Sequence, residues 1–245
     1  MSGSPDSGFT APEPTEPSQL TLQVALRDDA RFANFYPGSN AQVVSALQGQ
    51  WTTSGESYLY LWGPPGAGVS HLLQAACHYA EGIGHQSMYL PLADLKDVGP
   101  GMLEGIDQLP LVAIDDVQAV MGDDAWEEAL FHLFNRIRDR QSHLLIAGDR
   151  APLQLSASLA DLSSRLSWGV VYQVEPLSDE DKVQALILRA RQRGFDLMDD
   201  VAVFIMNRGP RDMAGLCRIL DRLDQASLTA QRRLTIPFVK SELGW

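Results

Sequence analysis

The sequence is short of cysteine, of cations and of long apolar runs, and each shortage removes a class of protein. Only Cys77 and Cys217 occur in 245 residues, far apart and each on the apolar side of a helical pattern. That gives neither a disulfide framework nor a thiolate metal site, and it reads as two buried free thiols in a reducing cytoplasm. Lysine and arginine number 19 against 31 acidic residues, a formal net charge of -12. A potential of that sign opposes a phosphate backbone unless the cations cluster, so protein and nucleotide partners are expected first. No apolar run reaches the ~18 residues of a membrane span, and the N-terminus lacks the basic-then-apolar order of a signal peptide. A cytoplasmic chain with no membrane partner is the expectation. The length and the 45% hydrophobic content suit one or two compact domains with a sizeable core.

The other shortage is a single lysine. Tyr58 to Trp62 is an apolar run, Leu72 to Ala80 is apolar with helical period, and between them lies Gly63-Pro64-Pro65-Gly66-Ala67-Gly68-Val69-Ser70-His71. Strand, glycine-rich turn and helix form the layout that cradles a phosphate. The spacing is G-x-x-x-x-G-K-[ST] with Val69 in the lysine's place. Gly63, Gly66 and Gly68 permit the dihedrals that turn successive N–H groups inward, and Ala67 and Val69 lie within the same cradle. The helix start adds its positive dipole end. Ser70 is placed to meet a magnesium ion, and His71 starts the helix with no catalytic role assigned. Without the lysine the backbone cradle survives, so diphosphate binding should suffer less than triphosphate binding or turnover. Taken alone, the segment also fits a ligand-free strand-to-helix turn.

Leu111-Val112-Ala113-Ile114-Asp115-Asp116 is the complement, an apolar run ending in two acids. A buried parallel strand reads as a continuous apolar run, and its C-terminal end is where α/β sheets place ligands. Asp115 would hold magnesium through water and Asp116 would polarise an attacking water. Ser87 to Pro91 and His143 to Ala147 read as further strands, the latter followed by Gly148-Asp149-Arg150. Val170 to Val174 reads as the last. Asp123 to Arg140 reads as a long helix with Trp126, Leu130, Phe131, Phe134 and Ile137 inward and Arg136 and Arg140 on a solvated face.

Three parts are expected. Residues 1–26 form an arm: Met1 to Ser18 is too rich in Ser, Gly, Pro, Thr and Glu to fold, and Leu20, Leu22, Val24 and Leu26 then alternate like a strand. Residues 27–176 form the nucleotide core. Residues 177–245 form a small helical lid, capped at Ser178, in which Arg211 starts the third helix as either a surface charge or a phosphate contact.

The order of these parts resembles the AAA+ ATPases, and more closely their DnaA-like members. The resemblance is carried by Phe32-Ala33-Asn34-Phe35, Gly38-Ser39-Asn40, Asp115-Asp116-Val117-Gln118, Phe131-His132-Leu133-Phe134-Asn135, Gly148-Asp149-Arg150 and Ser164-Arg165-Leu166-Ser167-Trp168-Gly169, and it extends through the lid. It implies a five-stranded parallel P-loop core with an all-α lid, and adenine contacts from the backbone at Pro37 and Gly38. It implies Arg211 as a lid arginine on the phosphates and Asp149 at a γ-phosphate-sensing position, where an anion would repel that phosphate. It makes Arg165 an arginine finger aimed at a neighbouring subunit's nucleotide, a device that raises hydrolysis about 10³–10⁵-fold. The chain is expected to stop where DnaA continues into a DNA-binding domain. Gln19, Leu20, Leu22 and Val24 resemble the peptide by which bacterial proteins grip the sliding clamp, with Gln23-Val24 departing from its usual ending. Together these imply an ADP-bound adaptor, with ATP and magnesium as further ligands, that docks on the DNA polymerase III clamp and stimulates DnaA, touching DNA only through the clamp. An active ATPase or clamp-loader-like subunit is the alternative, and a homodimer is left open.

Overall fold

The computed structural model describes residues 26–230 and 232–245. Gln19, Leu20, Leu22 and Val24 therefore lie outside the described residues. From Leu26 the chain passes through two 3-10 turns, Phe32–Asn34 and Gly38–Asn40, into α1 (Ala41–Gly49). There follow β1 (Tyr58–Trp62), α2 (Val69–Gly82), β2 (Ser87–Pro91), the short α3 (Leu92–Leu95) and β3 (Leu111–Asp115). Then come α4 (Asp124–Arg140), β4 (His143–Gly148), α5 (Ala160–Leu166) and β5 (Val170–Gln173). The last four helices are α6 (Asp179–Gln192), α7 (Asp199–Arg208), α8 (Met213–Ala230) and α9 (Ile236–Leu243).

The five strands form one sheet in the order β2-β3-β4-β1-β5, and every neighbouring pair is parallel. Helices cover both faces, which is why the strands read as unbroken apolar runs. Tyr58, Tyr60, Val112, Ile114, Leu144 and Ile146 pack on one side, with Trp126, Leu130 and Phe134 of α4. Leu59, Leu61, Leu111, Ala113, Leu145 and Ala147 pack on the other, with Val43 and Leu47 of α1 and Leu72 and Leu73 of α2. A third cluster, including Leu186, Ile205, Leu216, Leu220 and Val239, belongs to α6–α9.

Two readings of α4 change. Leu133 is buried, whereas Phe131 is only half-buried. Arg136 and Arg140 stay on a solvated face, 40% and 54% exposed, but they are not free there: both reach Asp107, at 3.0 and 2.7 Å, and that carboxylate is only 5% exposed. Burying Asp107 without those cations would cost several kcal/mol, which explains why two arginines converge on it.

Glu127 of α4 is fully buried. Its carboxylate accepts hydrogen bonds from the backbone N–H groups of Gly122 (2.7 Å), Ser158 (3.0 Å) and Leu159 (2.6 Å). Leu159 is the N-cap position of α5, so one α4 side chain fixes where the helix carrying Arg165 begins. Glu127→Ala takes the acceptor from three backbone donors and empties a buried side-chain site, and is expected to cost about 2 kcal/mol or more in urea unfolding. A loss below about 1 kcal/mol would show that water replaces the carboxylate.

Candidate functional site

The C-terminal ends of β1, β3 and β4 lie nearly level, because Trp62 of β1 pairs in register with Gly148 of β4, and Ile114 of β3 with Ile146 of β4. The turns leaving these strands line a cavity of about 730 Å³, with α6 and α8 closing it from above. On the loop after β1, Gly66 and Gly68 adopt φ of +85° and +99°, a region side chains rarely enter. A Cβ on Gly63 would stand 2.6 Å from the Val174 carbonyl oxygen, and one on Gly68 would stand 2.9 Å from Phe35. Gly68 is the N-cap of α2, so Val69, Ser70 and His71 form its first turn with unpaired N–H groups facing the cavity end. Val69 packs partly into the core beneath the loop.

The acids sit opposite. Asp115 is almost wholly buried; its Oδ2 accepts from the Tyr89 hydroxyl at 2.7 Å and its Oδ1 from the Asp116 N–H at 2.9 Å. Burial raises its pKa, and the neighbouring Asp116 charge adds to that, while bonds from Ser70 and Tyr89 oppose it. Asp116 holds a left-handed φ of +54°, which aspartate tolerates better than most residues. Gln118 ties this end together: its amide donates to Asp116 at 3.0 Å and accepts from the Asp149 N–H at 3.2 Å. Asp149 is not a bare anion. Arg150 binds both its oxygens at 2.7 Å, and this pairing holds the carboxyl below its ordinary range. The repulsion expected of it toward a γ-phosphate is thereby softened.

Of the residues expected at the nucleotide, Gly63, Gly66, Ala67, Gly68, Val69, Ser70, His71, Asp115, Asp116 and Asp149 line one cavity. Pro37, Gly38 and Arg211 do not. The entry segment contributes Asn34, Phe35 and Tyr36 instead, because Gly38 turns away to pack on Leu177 and Asp181. Arg211 is exposed and paired with Asp179 at 2.8 Å. The lid offers Arg189, Arg193 and Arg218 in its place, of which Arg189 in the last turn of α6 and Arg193 at its C-cap are spaced i, i+4. That spacing was visible in the sequence, but which way the face points depends on how the lid docks. Arg165 lies outside the lining; its guanidinium sits 6.0 Å from the centre of the Phe131 ring. Among the described residues no cluster of three metal-ligating side chains occurs, and no helix is long and apolar enough to cross a membrane.

Residues 102–173 match the family model of the bacterial DnaA ATPase domain, and residues 179–243 match that of the Hda lid domain. It is a DnaA-like AAA+ protein with an Hda-type lid. Among solved structures, domain III of the Thermotoga maritima initiator DnaA superposes with a TM-score of 0.72 at 24% identity, covering 90% of this chain and 98% of that one. AMPPCP-bound DnaA from Aquifex aeolicus gives 0.65 at 21% identity, over 80% of this chain and 65% of that one. The Thermotoga maritima RuvB branch migration motor gives 0.57 at 16%, over 84% and 66%. These structures share the AAA+ fold with it.

His71 joins this DnaA-like core to its Hda-type lid. Its Nε2 lies 3.0 Å from the Arg31 carbonyl oxygen and its Nδ1 3.4 Å from Arg189 of α6. Arg189 also reaches Asp29 at 3.5 Å, and Asp29 is held by Arg27 at 2.8 Å. Burial pushes the ring from its ordinary 6.5 down to about 4, so it is neutral, donating to Arg31 and accepting from Arg189. A pKa lower in the folded than in the unfolded chain gives stability that is complete above pH 6.5 and lost as pH falls toward 4, up to about 3 kcal/mol. His71→Gln should flatten that part of the stability–pH curve. An unchanged slope would mean that carboxylates alone produce it.

Proposed function

We propose that this chain is a negative regulator of DNA replication initiation, an adaptor that holds ADP and completes the ATPase site of DnaA. A DnaA-type core under an Hda-type lid supports a DnaA-related replication regulator. The observation that carries the rest is a separation of parts. The cradle lacks its lysine, while Arg165 sits away from its own cavity, with its guanidinium over an aromatic ring rather than toward the loop. A cation so placed is offered to a neighbour. In the ATP-bound partner it would neutralise charge developing on the transferred phosphoryl group. The arm's Gln19, Leu20, Leu22 and Val24 would tether the adaptor to the sliding clamp on DNA.

The cavity residues suit a nucleotide as a structural ligand. N–H groups at the start of α2 would take the β-phosphate, and Phe35 and Tyr36 would lie beside the base. Ser70 and Asp115, which line the same cavity, fit a magnesium ion held by the serine hydroxyl and, through water, by the carboxylate; the ion would supply the positive charge that the buried Asp115 lacks. The retained acids favour the second reading, a chain that turns over its own ATP, and Val69 opposes it.

Val69→Lys should raise ATP affinity relative to ADP about tenfold in a nucleotide titration, since one charge is returned beside the terminal phosphates. An unchanged ratio would mean that the missing lysine does not set the preference. Arg165→Ala should abolish stimulation of DnaA ATP hydrolysis in the presence of DNA-loaded clamp, a loss on the order of 10³-fold, while leaving ADP binding intact. A variant that stimulates as well as the parent would remove the trans finger from the mechanism.

A further inference from the structure

Trp168 is 58% exposed, and the turn that carries it is not slack. It leaves α5 between two residues fixed on Tyr58 of β1. Leu166 is buried, and its carbonyl oxygen accepts the Tyr58 hydroxyl at 2.9 Å. At Gly169 a Cβ would stand 2.2 Å from the Tyr58 ring and 2.8 Å from the Tyr58 carbonyl oxygen, so no side chain fits there. Between them the Ser167 hydroxyl donates to the Ser163 carbonyl at 3.0 Å, and the Trp168 N–H to that of Arg165 at 3.1 Å. The indole meets Phe134 edge-on, at 6.1 Å and 84°, and Phe134 in turn meets Tyr58 at 5.0 Å. A large apolar ring is thus held toward water by a rigid turn.

A single exposed apolar residue needs no explanation, but Trp168 has company. Val171 is 37% exposed and pairs in register with Tyr60, so it points to the same α4-side face of the sheet. Arg165 lies three residues before Trp168, with its guanidinium 6.0 Å from the centre of the Phe131 ring. Phe131 and Phe134 are one turn apart on α4, so adjacent rings back Arg165 and Trp168. Tryptophan and arginine are residue types in which binding energy at protein contacts concentrates. The cation also limits what can cover the indole. On the reading of Arg165 above, on which this inference rests, its guanidinium enters a partner's nucleotide site. A surface that receives it closes over the turn that carries it, and Trp168 is bonded to Arg165 within that turn.

We propose that Trp168 is the docking anchor beside Arg165, seated in an apolar notch at the rim of the nucleotide cavity of an ATP-loaded DnaA-type core. Val171 extends the apolar contact along β5. Because the turn is rigid before docking, little side-chain entropy is lost when the indole is covered. The two residues then divide the work. Trp168 supplies affinity for the partner, and Arg165 acts on the phosphoryl group being transferred.

Titrating the full-length chain, parent or variant, into ATP-loaded DnaA with the clamp on DNA, and following phosphate release, separates the two roles. Trp168→Ala should need about thirtyfold more protein for half-maximal stimulation, with the maximal rate within about twofold of the parent. Trp168→Phe, which keeps a ring beside Phe134, should recover most of that loss. An unchanged half-saturation in Trp168→Ala would overturn the proposal, and so would a collapsed maximal rate, which would place the residue's effect in the chemistry. Hydroxyl-radical labelling of the parent needs no variant: Trp168 should be oxidised at least about fivefold more slowly with ATP-loaded DnaA than without it, because docking excludes water from the anchor. Equal oxidation would overturn the proposal. So would protection that appears without DnaA as this chain's own concentration rises, which would give the surface to a second copy. A parent that does not stimulate DnaA would sink the proposed function and this inference with it. Stimulation lost in Arg165→Ala but unaltered in Trp168→Ala would sink this inference alone.

Discussion

The cradle after β1 exists because backbone approaches backbone where no side chain fits. A Cβ at Gly63 would stand 2.6 Å from Val174, at the end of the neighbouring edge strand, and one at Gly68 would meet the Phe35 ring. Those two contacts tie the loop to β5 on one side and to the entry segment on the other. The turn between them places the first N–H groups of α2 at the level where β3 and β4 deliver Asp115 and Asp149. With Val69 in place of the lysine, these N–H groups and the helix dipole are what the loop itself offers an anion. The rest of the site is arranged around a cradle built on geometry more than on charge.

Charge enters from elsewhere. Arg189 comes from α6, Arg193 from its C-cap and Arg218 from α8; with Arg27 of the entry segment these are the cavity's lining arginines, so most of them belong to the lid. Arg193 is paired with Asp221 of α8, and Arg189 is shared between Asp29 and His71, which spans the entry segment and the loop. A ligand drawing on those arginines would set the lid against the core, which couples nucleotide occupancy to the lid's position. Arg165 answers to a different neighbourhood, since α5 is anchored through Glu127 on α4 and its guanidinium rests over Phe131.

The sheet was legible in the sequence because helices bury both of its faces, leaving continuous apolar runs such as Leu111 to Ile114 with acids at the ligand-bearing end. The glycine loop was legible because φ values near +90° demand glycine at Gly66 and Gly68. Long-range partnerships were not. Nothing near Arg136 and Arg140 in the chain signals Asp107, which arrives from the loop before β3 to be buried beneath them. Likewise Arg211 has the position expected of a phosphate contact, yet the structure pairs it with Asp179 and turns Arg189 toward the loop. Which arginine faces the cavity is decided by how α6 and α8 dock, a tertiary fact that local spacing does not carry.

On the proposed function, this chain's nucleotide is a structural ligand and the chemistry lies in the partner's site. The direct measurement is to load γ-labelled ATP into DnaA in one mixture and into this chain in another, each with the other protein unlabelled and the clamp on DNA, and to follow labelled phosphate. Release confined to the mixture in which DnaA carried the label is the predicted result. Comparable release when this chain carried it would contradict the account.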